Sequence, residues 1–241
     1  RHGAPRADQH GIYPRRGPSG IIGVVMVRGG CFERIAKMLS GEITSMVLDL
    51  GPDEGESGFV QYVRRGPNGG VGVVSVHGTI GSGVDWLDVE QAIDRGIEDG
   101  GSLMLKINSR GGVVDDVIHQ LTDAIAQARA RGVEVVAYID HAFGSAYFLA
   151  AECSPVFIDP RGRVGNVQIQ PGCGNWQKSI AQRLEKHCFE RIRERRPCVT
   201  WPMLQRLRTS FVSADWAEAT GLVDVIVPWG GLISDTGCGR C

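Results

Sequence analysis

From residue 71 onward, short apolar runs alternate with helical patterns, and this alternation limits the fold more than any other feature. The runs are "VGVVSVHGTI" (71–80), "SLMLKI" (102–107), "VEVVAYI" (133–139) and "PVFIDP" (155–160). They are short, mostly β-branched or aromatic, and bounded by Gly, Ser, Asn or Asp, so each predicts a strand. Helical spacing fills the gaps. "DWLDVEQAIDRGIED" (85–99) places Trp86, Val89, Ala92, Ile93 and Ile97 on one face. "VVDDVIHQLTDAIAQARAR" (113–131) and the apolar "SAYFLAAEC" (145–153) predict two more helices. Strand, helix, strand, helix in this order predicts an α/β fold of βαβ units with a mostly parallel sheet and right-handed crossovers.

The flanks are less regular. Residues 1–20, "RHGAPRADQHGIYPRRGPSG", are basic and rich in Gly and Pro, and read as a flexible arm, with a phosphate-binding arm as the alternative. Residues 21–70 read as an N-terminal extension: an apolar run "IIGVVMV", a helix "CFERIAKMLSGE", then a turn-rich boundary "GPDEGESGFVQYVRRGPNGG". The main domain is expected over 71–230. Its later part holds a long charged helix, "NWQKSIAQRLEKHCFERIRERRP", read as a solvated surface, with a subunit or substrate contact as the alternative. It closes with a helix and last strand in "ADWAEATGLVDVIV". Residues 231–241 form a tail.

Bulk properties exclude some function classes. Net charge is -1, so no global field favours nucleic acid or an anionic membrane. No apolar window is long enough for a membrane span, and no signal peptide is read at the start. A cytoplasmic location is expected. Seven cysteines are scattered, and only Cys238 and Cys241 make a CxxC. A lone pair with no second pair nearby makes a poor zinc or redox site, so neither metal nor cofactor is expected.

Two stretches carry chemistry. "INSRGG" (107–112) follows a predicted strand, and Gly111 and Gly112 free backbone N–H groups to face a ligand, as an oxyanion hole requires. Ser145 stands just after another strand, at the start of the apolar helix, where the helix N-terminus favours developing negative charge. The bland readings are a loop turn for the glycines and a helix cap for the serine.

In their order along the chain, these stretches resemble the serine peptidases of the signal peptide peptidase A and phage protein C family, which share the Clp protease/crotonase fold. "NSRGG" is similar to the family's Asn/Asp-Ser-Pro-Gly-Gly. "SAYFLAAEC…PVFIDPRGRVGNV" is similar to its serine helix and the Val-Gly-Ser-Ile-Gly-Val turn beyond. "SADWAEATGLVDVI" is similar to its closing helix. The resemblance covers roughly residues 71–228. It implies a Clp/crotonase-like fold of repeated ββα/βαβ units. It also implies endopeptidase chemistry by a Ser–Lys dyad, a Gly-Gly oxyanion hole, a protein or peptide substrate and a homo-oligomer. Lacking a span, the chain sits better with the phage capsid-processing branch.

The carried-over residues depart from the pattern at three places. The nucleophile segment is one residue short: counted from Asp140 the serine is Ser145, counted back from Tyr147 it is Gly144. Arg110 stands for the proline, and "NVQ" (166–168) for Ser-Ile-Gly. The general-base lysine falls on Arg196, with Trp176 and Lys178 matching the Tyr-Ser-Lys segment. A guanidinium stays protonated and cannot serve as a base. Lys186, Lys178 and His141 are the other candidate bases, with Lys186 carried as the displaced base; His77 reads as structural. An inactive pseudo-peptidase acting in assembly is the first alternative, and a crotonase-like acyl-CoA enzyme the second.

Overall fold

The computed structural model describes residues 43–45, 58–65, 71–80, 85–98, 102–112, 116–169 and 175–229. The predicted strand and helix at 21–42 and the CxxC tail lie outside them. The elements run β1 (Ile43–Ser45), β2 (Phe59–Arg65), β3 (Val71–His77), α1 (Trp86–Glu98), β4 (Ser102–Ser109), α2 (Asp116–Ala130), β5 (Glu134–Phe143) and α3 (Ser145–Glu152). They continue with β6 (Val156–Gly165), α4 (Asn175–Arg195), α5 (Trp201–Thr209), β7 (Phe211–Ser213), α6 (Ala214–Ala219) and β8 (Val225–Ile226).

All the described strands belong to one sheet, in the order β1-β2-β3-β4-β5-β6-β7, with β8 also paired to β6. Strands β3 to β6 are parallel; β1, β2 and β7 are antiparallel to their neighbours. Strand β6 is long enough to take two partners on one edge: β8 beside Phe157 and Ile158, β7 beside Arg163–Gly165. The segment read as a turn-rich boundary contains β2. "FVQYVRR" places Val60 and Tyr62 in the core by alternation, so part of the expected extension continues the domain's own sheet.

The two faces of the sheet differ. Val74, Val76, Leu105, Ile107, Ala137, Ile139 and Ile158 join the large core that packs under the helices. The opposite face carries a small cluster of Val71, Val73, Met104, Val136, Tyr138 and Phe157, with Trp229 against it. Parallel strands covered on both faces read as nearly continuous apolar runs, which is why the four runs were legible.

Helix α3 is buried along its whole length, as a helix apolar all round must be. Its one charged residue, Glu152, is held by Arg191 Nε at 2.6 Å and Arg195 Nε at 3.4 Å, while Arg129 donates to its carbonyl. The basic stretch at the end of α4, expected to be a solvated face, thus sends Arg191 inward to a buried carboxylate, which the partly exposed Arg195 also reaches. Arg191 also pairs with Asp123. Burial works against the Arg191 charge, but hydrogen bonds to Glu152 and Asp123 outweigh it and raise its pKa.

Candidate active site

Strand β5 ends at Phe143, and the chain turns through Gly144 into α3. Gly144 has φ 53° and ψ -130°, a conformation nearly closed to residues with a Cβ. Residue 144 makes the turn and Ser145 is the first helical residue. The turn is held on three sides. Gly144 N–H donates to Gly165 O at 3.0 Å. A Cβ on Gly144 would sit 3.6 Å from Gly111 Cα and 3.8 Å from Asn166 O. Asn166 itself has φ 49° and donates its N–H to Ser210 O.

Gly111 is needed because a Cβ there would overlap the Phe143 carbonyl and lie 3.0 Å from Gly144 Cα. Gly112 is needed because a Cβ would overlap the Ile80 carbonyl. The glycine pair is therefore threaded between the end of β3 and the Ser145 turn, and Ile80 N–H fastens it by donating to Gly111 O at 2.7 Å. Of the two expected oxyanion donors, Gly111 N–H is already used: it donates to Ser109 Oγ at 3.1 Å. Gly112 N–H has no acceptor among the described residues. Ala146 N–H, in the first turn of α3, has none within the helix.

Ser145 is 1% exposed, and its Oγ is buried without a hydrogen-bond partner among the described residues. The base candidates lie apart from it in different ways. Arg196, at the position of the family lysine, is buried and bonded to Asp224 and Gly221 O. Burial opposes its charge, but Tyr147 and the Asp224 carboxylate raise its pKa further. Lys186 is on the solvent side of α4, paired with Glu190 at 3.7 Å. Lys178 is exposed on the same helix. His141 is two residues before the end of β5, and its Nδ1 is also buried without a partner. Neither it nor any described lysine is bonded to Ser145.

A cleft of about 730 Å³ opens at the carboxyl ends of β3 to β6. The strand register explains it. His77, Asn108, His141 and Arg163 are successive partners across the four parallel strands, so they form one polar row on the face away from the helices. Asn108 Nδ2 lies 3.1 Å from His77 Nδ1, within hydrogen-bond distance. Arg110, Arg161 and Phe143 complete the rim. His77, read as structural, thus lines the cleft. The row was not visible in the sequence, because these residues are 22 to 33 positions apart and only register aligns them. Ser145 is not among the residues that line the cleft.

No protein-family profile and no curated protein sequence matches the chain. Solved structures do. A point mutant of ClpP1 from Listeria monocytogenes is 16% identical, with a TM-score of 0.55 over 66% of this chain and 94% of that one. An enoyl-CoA hydratase/isomerase family member is also 16% identical, with a TM-score of 0.55 over 75% and 73%. The membrane-bound stomatin-specific protease 1510-N, as a lysine-to-alanine mutant in complex with a substrate peptide, is 14% identical, with a TM-score of 0.52 over 67% and 76%. The chain has the Clp protease/crotonase fold. No helix among the described residues is long and apolar enough to cross a membrane.

Proposed function

We propose that the chain is a serine-type endopeptidase related to the signal peptide peptidase A and phage protein C family, with Ser145 as nucleophile. One observation carries the reading. Ser145 is the first residue of a buried helix, set there by a Gly144 turn that packs against Gly111 and bonds to Gly165 O. A serine so placed meets the helix N-terminus and the glycine loop together. In this reading Ser145 Oγ attacks the peptide carbonyl and the oxyanion falls to the N–H groups of Gly112 and Ala146. The hydroxyl proton passes to His141, whose unpartnered Nδ1 must first turn to Ser145 Oγ, and then to the leaving amine, and water releases the acyl group. Lys186 could serve only if α4 moved, since its ammonium now faces solvent beside Glu190. The proposed substrate is a polypeptide, and the proposed assembly a homo-oligomer.

A second reading has its own support. Ser145 is almost fully buried and bonded to no base, which suits a retained scaffold without chemistry. Labelling with a fluorophosphonate probe separates the two. A nucleophilic Ser145 labels in the wild type and not in Ser145→Ala, and His141→Ala labels at least about tenfold more slowly. No labelling of a folded protein at any pH would leave the inactive scaffold.

A further inference from the structure

We propose that the cleft along β3 to β6 binds an acidic, extended peptide segment. This rests on the peptidase reading for the nature of the ligand, and names the substrate class that reading leaves open. Three arginines, 110, 161 and 163, and two histidines, 77 and 141, line the cleft, and no carboxylate among the described residues does. The nearby acidic groups are already engaged. Asp159 accepts from Arg161 N–H at 2.9 Å and from Tyr138 OH at 3.2 Å. Its contact with the Arg161 guanidinium is 3.4 Å long, on a side chain 94% exposed, so it does little to neutralise that charge. Asp140 pairs with Lys106 at 3.7 Å. Arg163 makes no ion pair with a described residue.

The layout of these charges favours a chain over a single ion. Donors for one phosphate would converge on a point. Here Arg161 and Arg163 are two residues apart in β6, where pairing with β5 lapses after Ile158 and resumes at Arg163, and Arg110 lies on the loop after β4, two strands away. An extended peptide carries side chains along its length, so its carboxylates meet arginines spread from the loop after β4 to β6. The glycine loop borders the cleft through Arg110, which puts a bound segment next to the turn that carries Ser145. Phe211, 53% exposed and stacked edge-on against Phe143 at 4.5 Å, adds an apolar surface at that end.

The test uses the full chain carrying Ser145→Ala, so that bound peptide is not consumed. Fluorescence anisotropy compares a labelled octapeptide alternating Glu and Ala with its Gln-for-Glu counterpart. The Glu peptide is expected to bind about tenfold tighter, with the difference shrinking as salt is added. Arg163→Glu should weaken it at least about fivefold and Arg163→Gln by less. Arg183→Glu, the same charge change on exposed α4, should leave binding as it was. Equal affinity for the two peptides overturns the proposal. So does an equal effect of the two charge reversals, displacement by inorganic phosphate at the peptide's own concentration, or tighter binding of a single-stranded oligonucleotide of equal charge. Retained unfolding midpoints identify variants that are folded. Peptide discrimination without fluorophosphonate labelling would keep the cleft assignment and remove the catalytic reading; labelling without discrimination would do the reverse.

Discussion

The guanidinium of Arg196 donates to both carboxylate oxygens of Asp224, at 3.1 and 3.0 Å, and to Gly221 O at 3.1 Å. Asp224 Oδ2 in turn accepts from Val156 N–H at 2.7 Å. This fork ties the end of α4 to the start of β6 and to the loop before β8. The position that resemblance assigns to a base is therefore a structural joint. Arg196→Ala removes a forked donor from Asp224, itself 41% exposed, and should cost about 2 kcal/mol in urea unfolding. Arg196→Lys keeps the charge but loses the fork, and should recover about half of that. It should not raise fluorophosphonate labelling, although it restores the family's residue type.

Three glycines with positive φ separate strain from crowding. Gly132 has φ 85° with nothing within 4 Å of an added Cβ, so Gly132→Ala should cost only the conformational term, about 1–2 kcal/mol. Gly111→Ala and Gly112→Ala add overlap with the carbonyls of Phe143 and Ile80. Both should destabilise more than Gly132→Ala in parallel denaturation. If Ser145 is reactive, both should also abolish its labelling, whereas Gly132→Ala retains it.

Burial pushes the thiols of Cys153 and Cys188 up from 9.0 to about 12. Above pH 9 the unfolded chain sheds these protons while the folded chain keeps them, so the unfolded state binds fewer protons. Stability should then be fully present below about pH 9 and decline as pH rises toward 12. Urea titrations across that range check this, and Cys153→Ala and Cys188→Ala should each flatten the slope. Burial also raises the phenols of Tyr138 and Tyr147, which act in the same direction from about pH 10 upward.

Glu152 is the charged end of an otherwise apolar α3, with its side chain 4% exposed. Glu152→Gln leaves Arg191 and Arg195 facing a neutral amide from their side of the core. The expected cost is about 2–3 kcal/mol, read as a midpoint lowered by roughly 5–10 °C for a chain of this size. Lys186→Ala, which removes a surface pair with Glu190, should change the midpoint by less than about 2 °C.

The strand and helix order from β3 to α3 was legible because each element carries its own period. Strand β6 was not: "PVFIDP" predicts an end at 160, yet pairing continues to Gly165. Its second half reads as turn because Pro160 and Gly162 interrupt it; pairing lapses after Ile158 and resumes at Arg163, where β5 and β7 hold the strand extended. Helix α5 and strand β7 were missed for a related reason. Arg206 and Arg208 hide the short apolar pattern of Leu204 and Leu207, and three residues of β7 give too little period to detect. Ser145 and the glycine pair could be found in the sequence, since a small residue at a strand end is a local signal. The polar row His77–Asn108–His141–Arg163 could not.

The sequence by itself determined the parallel α/β core, the place of Ser145 after a strand and the glycine loop at 111 and 112. These are properties of single segments, written in apolar periodicity and turn chemistry. Only the tertiary structure decided that residue 144 turns and residue 145 starts the helix, that Arg196 is spent on Asp224, and that three arginines share one cleft. Those outcomes depend on register between strands and on which buried charge finds which partner. Both are settled by packing between segments distant along the chain, which no local pattern encodes.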